Sequence, residues 1–314
     1  MLPRILRRLG QGIFVLLLVT IFTFLLVHLA PGGPSSVMRM GSTASEREAL
    51  RHSMGLDRPL PVQYLTWVGG VVHGDFGASL TGGQPVGPLI AQRLWNTVKL
   101  GMSVFVLIVI FGTLFGVLAA LRRNSWLDFL VNLLSTLGMS IPDFWLGIMS
   151  ILLFAVELHW FPASSTIDTS STGPLQLIPY LALPVAVLTF AVIPNIVRYA
   201  RAAMLEAMSA DYIRTARSKG LRQATIVLKH AFKNALISVV SMLGLLLPVL
   251  LSGAVITESV FGWPGIGRLA VEAAMNRNYP VIMGVTVVAG AVVILTNILV
   301  DTLYILIDPR IAHG

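Results

Sequence analysis

The densest run of side chains able to do chemistry is Asp211-Tyr212-Ile213-Arg214-Thr215-Ala216-Arg217-Ser218-Lys219-Gly220-Leu221-Arg222. It is a basic island between two long apolar segments, the place where the chain is expected to meet something soluble. Asp211 can cap a helix and Gly220 can end one in the left-handed conformation, so the run predicts a short helix of about two and a half turns. Tyr212, Ile213 and Ala216 are expected on one face, with Arg214, Arg217 and Lys219 spread over the rest. A second helical pattern runs from Gln223 through His230 and Lys233 into an apolar segment. A basic helix joined rigidly to such a segment is suited to passing a push from a soluble motor; the plainer alternative is that its charges only fix topology.

Other chemistries are poorly supplied. His28, His52, His73, His159, His230 and His313 show no paired metal spacing, and no Gly-x-Ser-x-Gly is present. Ser140, Ser241 and Ser252 lie in apolar stretches, where bonding a preceding backbone carbonyl is the commoner fate. Met102, Met139, Met149 and Met242 read as core. The four lysines, Lys99, Lys219, Lys229 and Lys233, never follow a glycine, so no phosphate-binding Gly-Lys loop exists and the chain cannot hydrolyse ATP by that device. The 314 residues contain no cysteine, which excludes disulfides, thiolate metal sites and a cysteine nucleophile.

The elements that must carry the basic run are apolar. Hydrophobic residues make up 55% and charged residues 11% of the chain, against about 25% charged in soluble domains. Mean hydropathy is +0.82. These values define an integral membrane protein. Its net charge of +8 therefore bears on orientation, with nucleic acid not expected as a partner.

Six crossings are expected in an all-α, polytopic chain read as one transmembrane domain over 1–314. The first, Leu9 to Ala30, follows Arg4, Arg7 and Arg8 and is too long for a signal peptide. Residues 31–96 form a polar extracytoplasmic subregion, where Ser42 or Ser45 can cap a helix and Gly32-Gly33-Pro34, Gly69-Gly70 and Gly82-Gly83 mark loops. Leu100 to Leu121 is the second crossing. The third region is divided by Pro142-Asp143 into an interfacial piece ending near Leu137 and a crossing to about Val156, because a carboxylate at mid-membrane is costly. The fourth and fifth, Leu175 to Val197 and Asn234 to Thr257, flank a cytoplasmic coupling loop over 198–233. The sixth runs from Tyr279 to Val300.

Counting Lys and Arg on alternate sides puts 14 with the termini and the basic run and 8 on the other face, or 2 once the long first loop is set aside. Both termini and the basic run are thus expected in the cytoplasm. Asp143, Glu157, Glu258 and Asp301 sit near predicted ends, where anchoring is a better reading than proton relay. A gradient-driven carrier is short of intramembrane charges, and force from a partner ATPase is the remaining option. Pro184, Pro194, Gly244, Pro248 and Gly253, in two consecutive crossings, are candidates for a gate.

The sequence resembles the inner-membrane permease subunits of binding-protein-dependent ABC importers of the dipeptide, oligopeptide and nickel type. The likeness covers almost the whole chain. It is carried by Leu29-Ala30-Pro31-Gly32, Gly55-Leu56-Asp57-Arg58-Pro59-Leu60 with Gln63-Tyr64, Gly74-Asp75-Phe76-Gly77 and Leu118 through Arg123. It continues in Ser140-Ile141-Pro142 with Phe144-Trp145-Leu146-Gly147, Asp211 through Leu221, Val260 through Gly267, and Asp308-Pro309-Arg310.

The resemblance implies the type I permease fold in a bacterial plasma membrane. It also implies that Arg214 to Gly220 form the loop known as EAA, docking in a groove of a cytoplasmic ATPase. Only Ala216 and Gly220 agree with that loop's Glu-Ala-Ala, three residues, Gly; His230 through Lys233 stand where Ile-x-Leu-Pro is usual, and Gly33 replaces an expected Asp. A second permease chain, two ATPase subunits or one fused pair holding ATP and magnesium, surrounding lipid and an extracytoplasmic binding protein are implied as partners. The chain would hold no cofactor and no metal. Asp57, Arg58, Asp75, Trp263 and Pro264 are the candidate dock for the binding protein. Short peptides are the leading substrate, with nickel chelates, glutathione and saccharides open.

Overall fold

A computed structural model describes residues 2–30, 52, 57–167, 169 and 172–307. The expected cap at Ser42 or Ser45, the Gly32-Gly33-Pro34 loop and the Asp308-Pro309-Arg310 motif lie outside the described residues. Eleven helices occur among them: α1 Leu2–Leu29, α2 Leu60–Val72, α3 Val86–Leu121, α4 Trp126–Ser140, α5 Asp143–Glu157, α6 Pro174–Ser209, α7 Asp211–Ser218, α8 over 223–252, α9 Val255–Val260, α10 Ile266–Met275 and α11 Tyr279–Ile307. π-helical turns interrupt α3 at Ile108–Gly112, end α5 at Ile151–Glu157 and open α8 at Ile226–Phe232.

Among the described residues five helical stretches are long and apolar enough to cross a membrane, and α4 with α5 make a sixth bent by 97°. Ile141 and Pro142 form the bend: Pro142 has no N–H to continue the α4 ladder and stands extended as the cap of α5. The break comes three residues after the expected Leu137. Asp143 opens α5, where its carboxylate accepts from the Phe144 N–H.

Other boundaries differ more. The second crossing begins at Val86, inside the subregion expected to be polar, and at about 1.5 Å per residue its 36 residues exceed a ~30 Å hydrocarbon layer. Gly69 and Gly70 lie within α2 rather than in a loop. α6 runs unbroken well past Val197, through Arg198 and Arg201, because Pro179, Pro184 and Pro194 are absorbed in its interior. The fifth crossing breaks at Gly253, whose φ of +116° ends α8, and α9 resumes it two residues on.

The centre of the fold is the crossing of α3 with α6 and α8. Leu100, Val104 and Ile108 of α3 pack on Val185, Leu188, Ile196 and Ala200 of α6 and on Val239, Leu243 and Leu250 of α8. α3 carries Gly112 and Gly116 one helical turn apart, and a Cβ on Gly116 would stand 2.6 Å from the Val197 carbonyl oxygen. In lipid, where the hydrophobic effect does not press helices together, such small residues let backbones approach and gain dispersion contacts. Long apolar faces, including Phe14, Phe22 and Leu26 of α1, stay outward. They match a hydrocarbon environment. Met102 and Met139 are exposed on such faces, not core as expected.

Candidate functional site

α7 is an eight-residue helix, Asp211–Ser218, held between the ends of α6 and α8. Its cap is Ala210, in extended conformation at φ −70° and ψ 152°, so the expected capping role of Asp211 is not observed. Asp211 is the first helical residue, its side chain almost wholly exposed and 3.5 Å from Arg214. There its charge still favours the positive helix end. The other end is a Schellman closure: Gly220 has φ +72°, its N–H reaches the Arg217 carbonyl at 2.9 Å, and the Leu221 N–H reaches the Ala216 carbonyl at 3.3 Å.

Ile213 and Ala216 are buried against Ala203, Met204 and Ala207 of α6, Ala120 of α3, and Ile226, Ala231 and Ala235 of α8. Alanines on three helices leave room for α7 to seat closely, and burying Ile213 contributes roughly 1.5–3 kcal/mol. Tyr212 does not join that face, being 42% exposed. Arg214, Thr215, Arg217 and Lys219 are exposed as well. The helix thus has a small apolar underside and a basic top with one aromatic ring. Arg217 and Lys219 form no ion pair among the described residues.

At the far end of the bundle lies a second polar assembly. Glu258 of α9 is fully buried, and its carboxylate accepts from Thr97 Oγ1 at 2.6 Å and from the Arg268 N–H at 2.9 Å. Thr97 Oγ1 accepts from the Ile266 N–H at 2.8 Å, so two side chains from elsewhere satisfy the first turn of α10. Asn96 donates to the Pro264 carbonyl and accepts from Thr169, while the Trp263 indole donates to the Asn96 carbonyl at 3.0 Å. A Cβ on Gly265 would lie 2.3 Å from the Glu258 carboxylate. Only glycine fits there.

These contacts correct part of the candidate dock. Trp263 is completely buried, and Pro264 is partly buried with its carbonyl committed to Asn96, so the indole offers no surface. Asp57, Arg58 and Asp75 are exposed. Arg58 and Asp75 line one cavity of about 470 Å³ with His28, Trp67, Phe76 and Tyr279. Asp57 pairs with His52 at 2.6 Å, and its own backbone hydrogen bond, then His52, hold its carboxyl below the usual value. Asp75 accepts from the Gly77 N–H.

Of the gate candidates, Pro184, Pro194 and Pro248 are buried inside continuous helices, Gly244 is partly buried within α8, and Gly253 alone occupies a break. Ser140, Ser241 and Ser252 each bond a carbonyl three or four residues back. Among the described residues no group of His, Asp or Glu could hold a metal.

Sequence reasoning missed the ion pairs between elements, of which the most buried joins α4 to α6. Arg201 of α6 donates Nε to Asp128 Oδ1 at 2.7 Å and Nη2 to Oδ2 at 2.8 Å, and Asp128 is 5% exposed. Ser125 caps α4 three residues before Asp128, a Ser-x-x-Asp start visible in the sequence. That start carries no sign of Arg201.

The geometry defines a class: a polytopic helical membrane protein with a lateral basic helix facing outward and no catalytic constellation among its described residues. Comparison with known proteins narrows it. Residues 112–313 match the family described as the binding-protein-dependent transport system inner membrane component, and residues 1–101 match its N-terminal companion. A peptide permease protein of Brucella suis biovar 1 is 42% identical over 316 residues, covering 99% of each chain. The oligopeptide transport system permease protein AppB of Bacillus subtilis is 39% identical over 313 residues, covering 98% of this chain and 99% of that one. A chain of the inward-facing MetNI methionine ABC transporter superposes with a TM-score of 0.54 at 21% identity, covering 70% of this chain and 96% of that one. This chain belongs to the inner-membrane component family of binding-protein-dependent transport systems, and it has the type I importer permease fold.

Proposed function

We propose that this chain is one permease subunit of an ATP-driven importer that carries short peptides delivered by an extracytoplasmic binding protein. Full-length similarity to proteins named as peptide and oligopeptide permeases is the observation that carries the substrate class. ATP and magnesium would be bound by two cytoplasmic ATPase subunits or a fused pair, and a second, similar permease would complete the pore. The chain itself would catalyse nothing.

In this reading both termini and α7 face the cytoplasm, in keeping with the distribution of Lys and Arg. The basic top of α7, from Asp211 to Gly220 with Tyr212 at its edge, would sit in a groove of the ATPase. Closure of the ATPase pair would displace α7. α6 and α8, joined to it at either end, would tilt and open the pore to one side at a time. Gly253, with Gly244 and the buried prolines Pro184, Pro194 and Pro248 as supports, is the candidate hinge. The exposed Asp57, Arg58 and Asp75 are the remaining candidates for the binding-protein dock. The chain would then be one transmembrane unit, with an extracytoplasmic subregion over 31–96 into which the second crossing extends from Val86, and a coupling loop over 198–233 whose first part continues α6 to Ser209.

The test is uptake of a labelled alanine tripeptide into vesicles holding the complete complex. Uptake should need ATP hydrolysis and survive an uncoupler. Collapse with the uncoupler, or uptake without the ATPase subunits, would establish a gradient-driven carrier instead. Nickel chelates, glutathione and saccharides are competitors to add in the same assay.

A further inference from the structure

The Asp128–Arg201 pair lies where α4 and α6 meet, ten residues before the start of α7. Its carboxylate is saturated: Oδ1 accepts from Arg201 Nε and Asn132 Nδ2, and Oδ2 accepts from Arg201 Nη2 and the Asn124 N–H. Both guanidinium bonds are parallel and short, the fork geometry that fixes orientation as well as distance. Asp128 is also tied to its own helix start, because its N–H donates to Ser125 Oγ. One carboxylate therefore holds the Asn124 turn, the first turns of α4 and the shaft of α6. Further along the same interface, a Cβ on Gly138 would stand 2.8 Å from Pro194 Cγ, so the two helices also touch near the 97° bend.

Chain continuity supplies the other half. α6 is unbroken from Pro174 to Ser209, and only Ala210 separates it from α7. A displacement of α7 reaches Arg201 through Ala210 and the continuous helix from Ser209, about 12 Å at 1.5 Å per residue. Buried, bidentate pairs do not slide by fractions of an ångström; they hold or they break. No covalent link of comparable shortness joins α7 to α4.

We infer that Asp128 and Arg201 are positioning residues for transport, a clamp that makes α4, with the bend beyond it, move as one body with α6 when α7 is pushed. The inference rests on the coupling reading of α7 given above. It assigns work to the fourth crossing and the bent third crossing in addition to α8. Asp128 touches no substrate in this scheme.

The absence of cysteine allows labels to be placed singly. In the complete importer complex, spin labels at Leu133→Cys and Tyr199→Cys report α4 against α6, Tyr212→Cys and Leu295→Cys report α7 against α11, and Leu133→Cys and Leu295→Cys report α4 against α11. All four positions are exposed in this chain. Between the nucleotide-free and ATP–vanadate states, the α7–α11 and α4–α11 distances should shift together while the α4–α6 distance holds within about 2 Å. With Asp128→Asn, the α7–α11 shift should persist, the α4–α11 shift should be lost, and the α4–α6 distribution should broaden. Asp128→Arg combined with Arg201→Asp should restore the wild-type pattern, which separates loss of the pair from general damage.

An α4–α11 shift that survives Asp128→Asn, or an α4–α6 distance that itself changes by about a helical turn in the unsubstituted complex, overturns the clamp alone. Failure of the exchanged pair to restore the pattern does so too. An α7–α11 distance that never responds to nucleotide overturns the coupling reading and the clamp with it.

Discussion

The two ends of the bundle handle polar groups in opposite ways. At the α7 end, Arg214, Arg217 and Lys219 stand in the open over a thin apolar underside made of Ile213 and Ala216. At the α9–α10 end, Glu258, Thr97, Asn96 and Trp263 are buried and spend their hydrogen bonds on one another and on backbone groups. One end leaves its charges exposed, which in the proposed reading is where another molecule completes it, and the other satisfies its polar groups internally. In such a molecule, substitutions at the first end should change what the protein does, and substitutions at the second should change whether it holds together.

The largest effect expected is functional. Arg214→Glu with Arg217→Glu should lower ATP-driven uptake at least tenfold, with thermal stability in detergent within about 0.5 kcal/mol of the original, as for other surface changes. Unchanged uptake would remove the contrast from the α7 side. Next is Glu258→Ala, which leaves the Thr97 O–H and the Arg268 N–H without their acceptor at about 1–3 kcal/mol for each buried group. Thermal unfolding of the solubilised chain should register it as a large loss. A melting temperature unchanged by Glu258→Ala would show that the buried assembly is not what secures this end. Gly265→Ala should be comparable, because the added methyl would stand within the Glu258 carboxylate's contact distance. Thr97→Val should cost about 1–2 kcal/mol, keeping the shape but losing one acceptor and one donor.

The smallest expected effect is Gly220→Ala. Placing a Cβ at φ +72° costs roughly 1–2 kcal/mol locally. Part of that is relieved by fraying of α7, so stability should fall little while coupling falls several-fold. This variant sharpens the comparison, since it alters the geometry of the exposed end without touching its charges. Stimulated and basal ATP hydrolysis of the complex, measured side by side, would show the split.

Much of this organisation is legible in the chain itself. The apolar runs, the Gly220 ending and the basic face of α7 all follow from local composition and from glycine's tolerance of positive φ, whereas the π-helical turns in α3, α5 and α8 left no mark in the sequence. Where reading along the chain failed, the missing information was distance across it. Asp211 looks like a cap until Ala210 is seen to hold the extended conformation. Trp263 looks like a surface aromatic until Asn96, 167 residues away, is found accepting its proton. The prolines of α6 look like hinges, yet packing against α3, α4 and α8 keeps the helix whole, and the break falls at Gly253.

Sequence alone determined that the protein lives in a membrane, roughly where it crosses, and which basic segment stands exposed between crossings, because hydropathy and charge act residue by residue. Only the tertiary structure decided which charges are consumed inside. Asp128 with Arg201, and Glu258 with Thr97, are separated by 73 and 161 residues, and a carboxylate's partner is set by where helices cross. Whether a charge is a handle or a rivet depends on that crossing, and no local pattern records it.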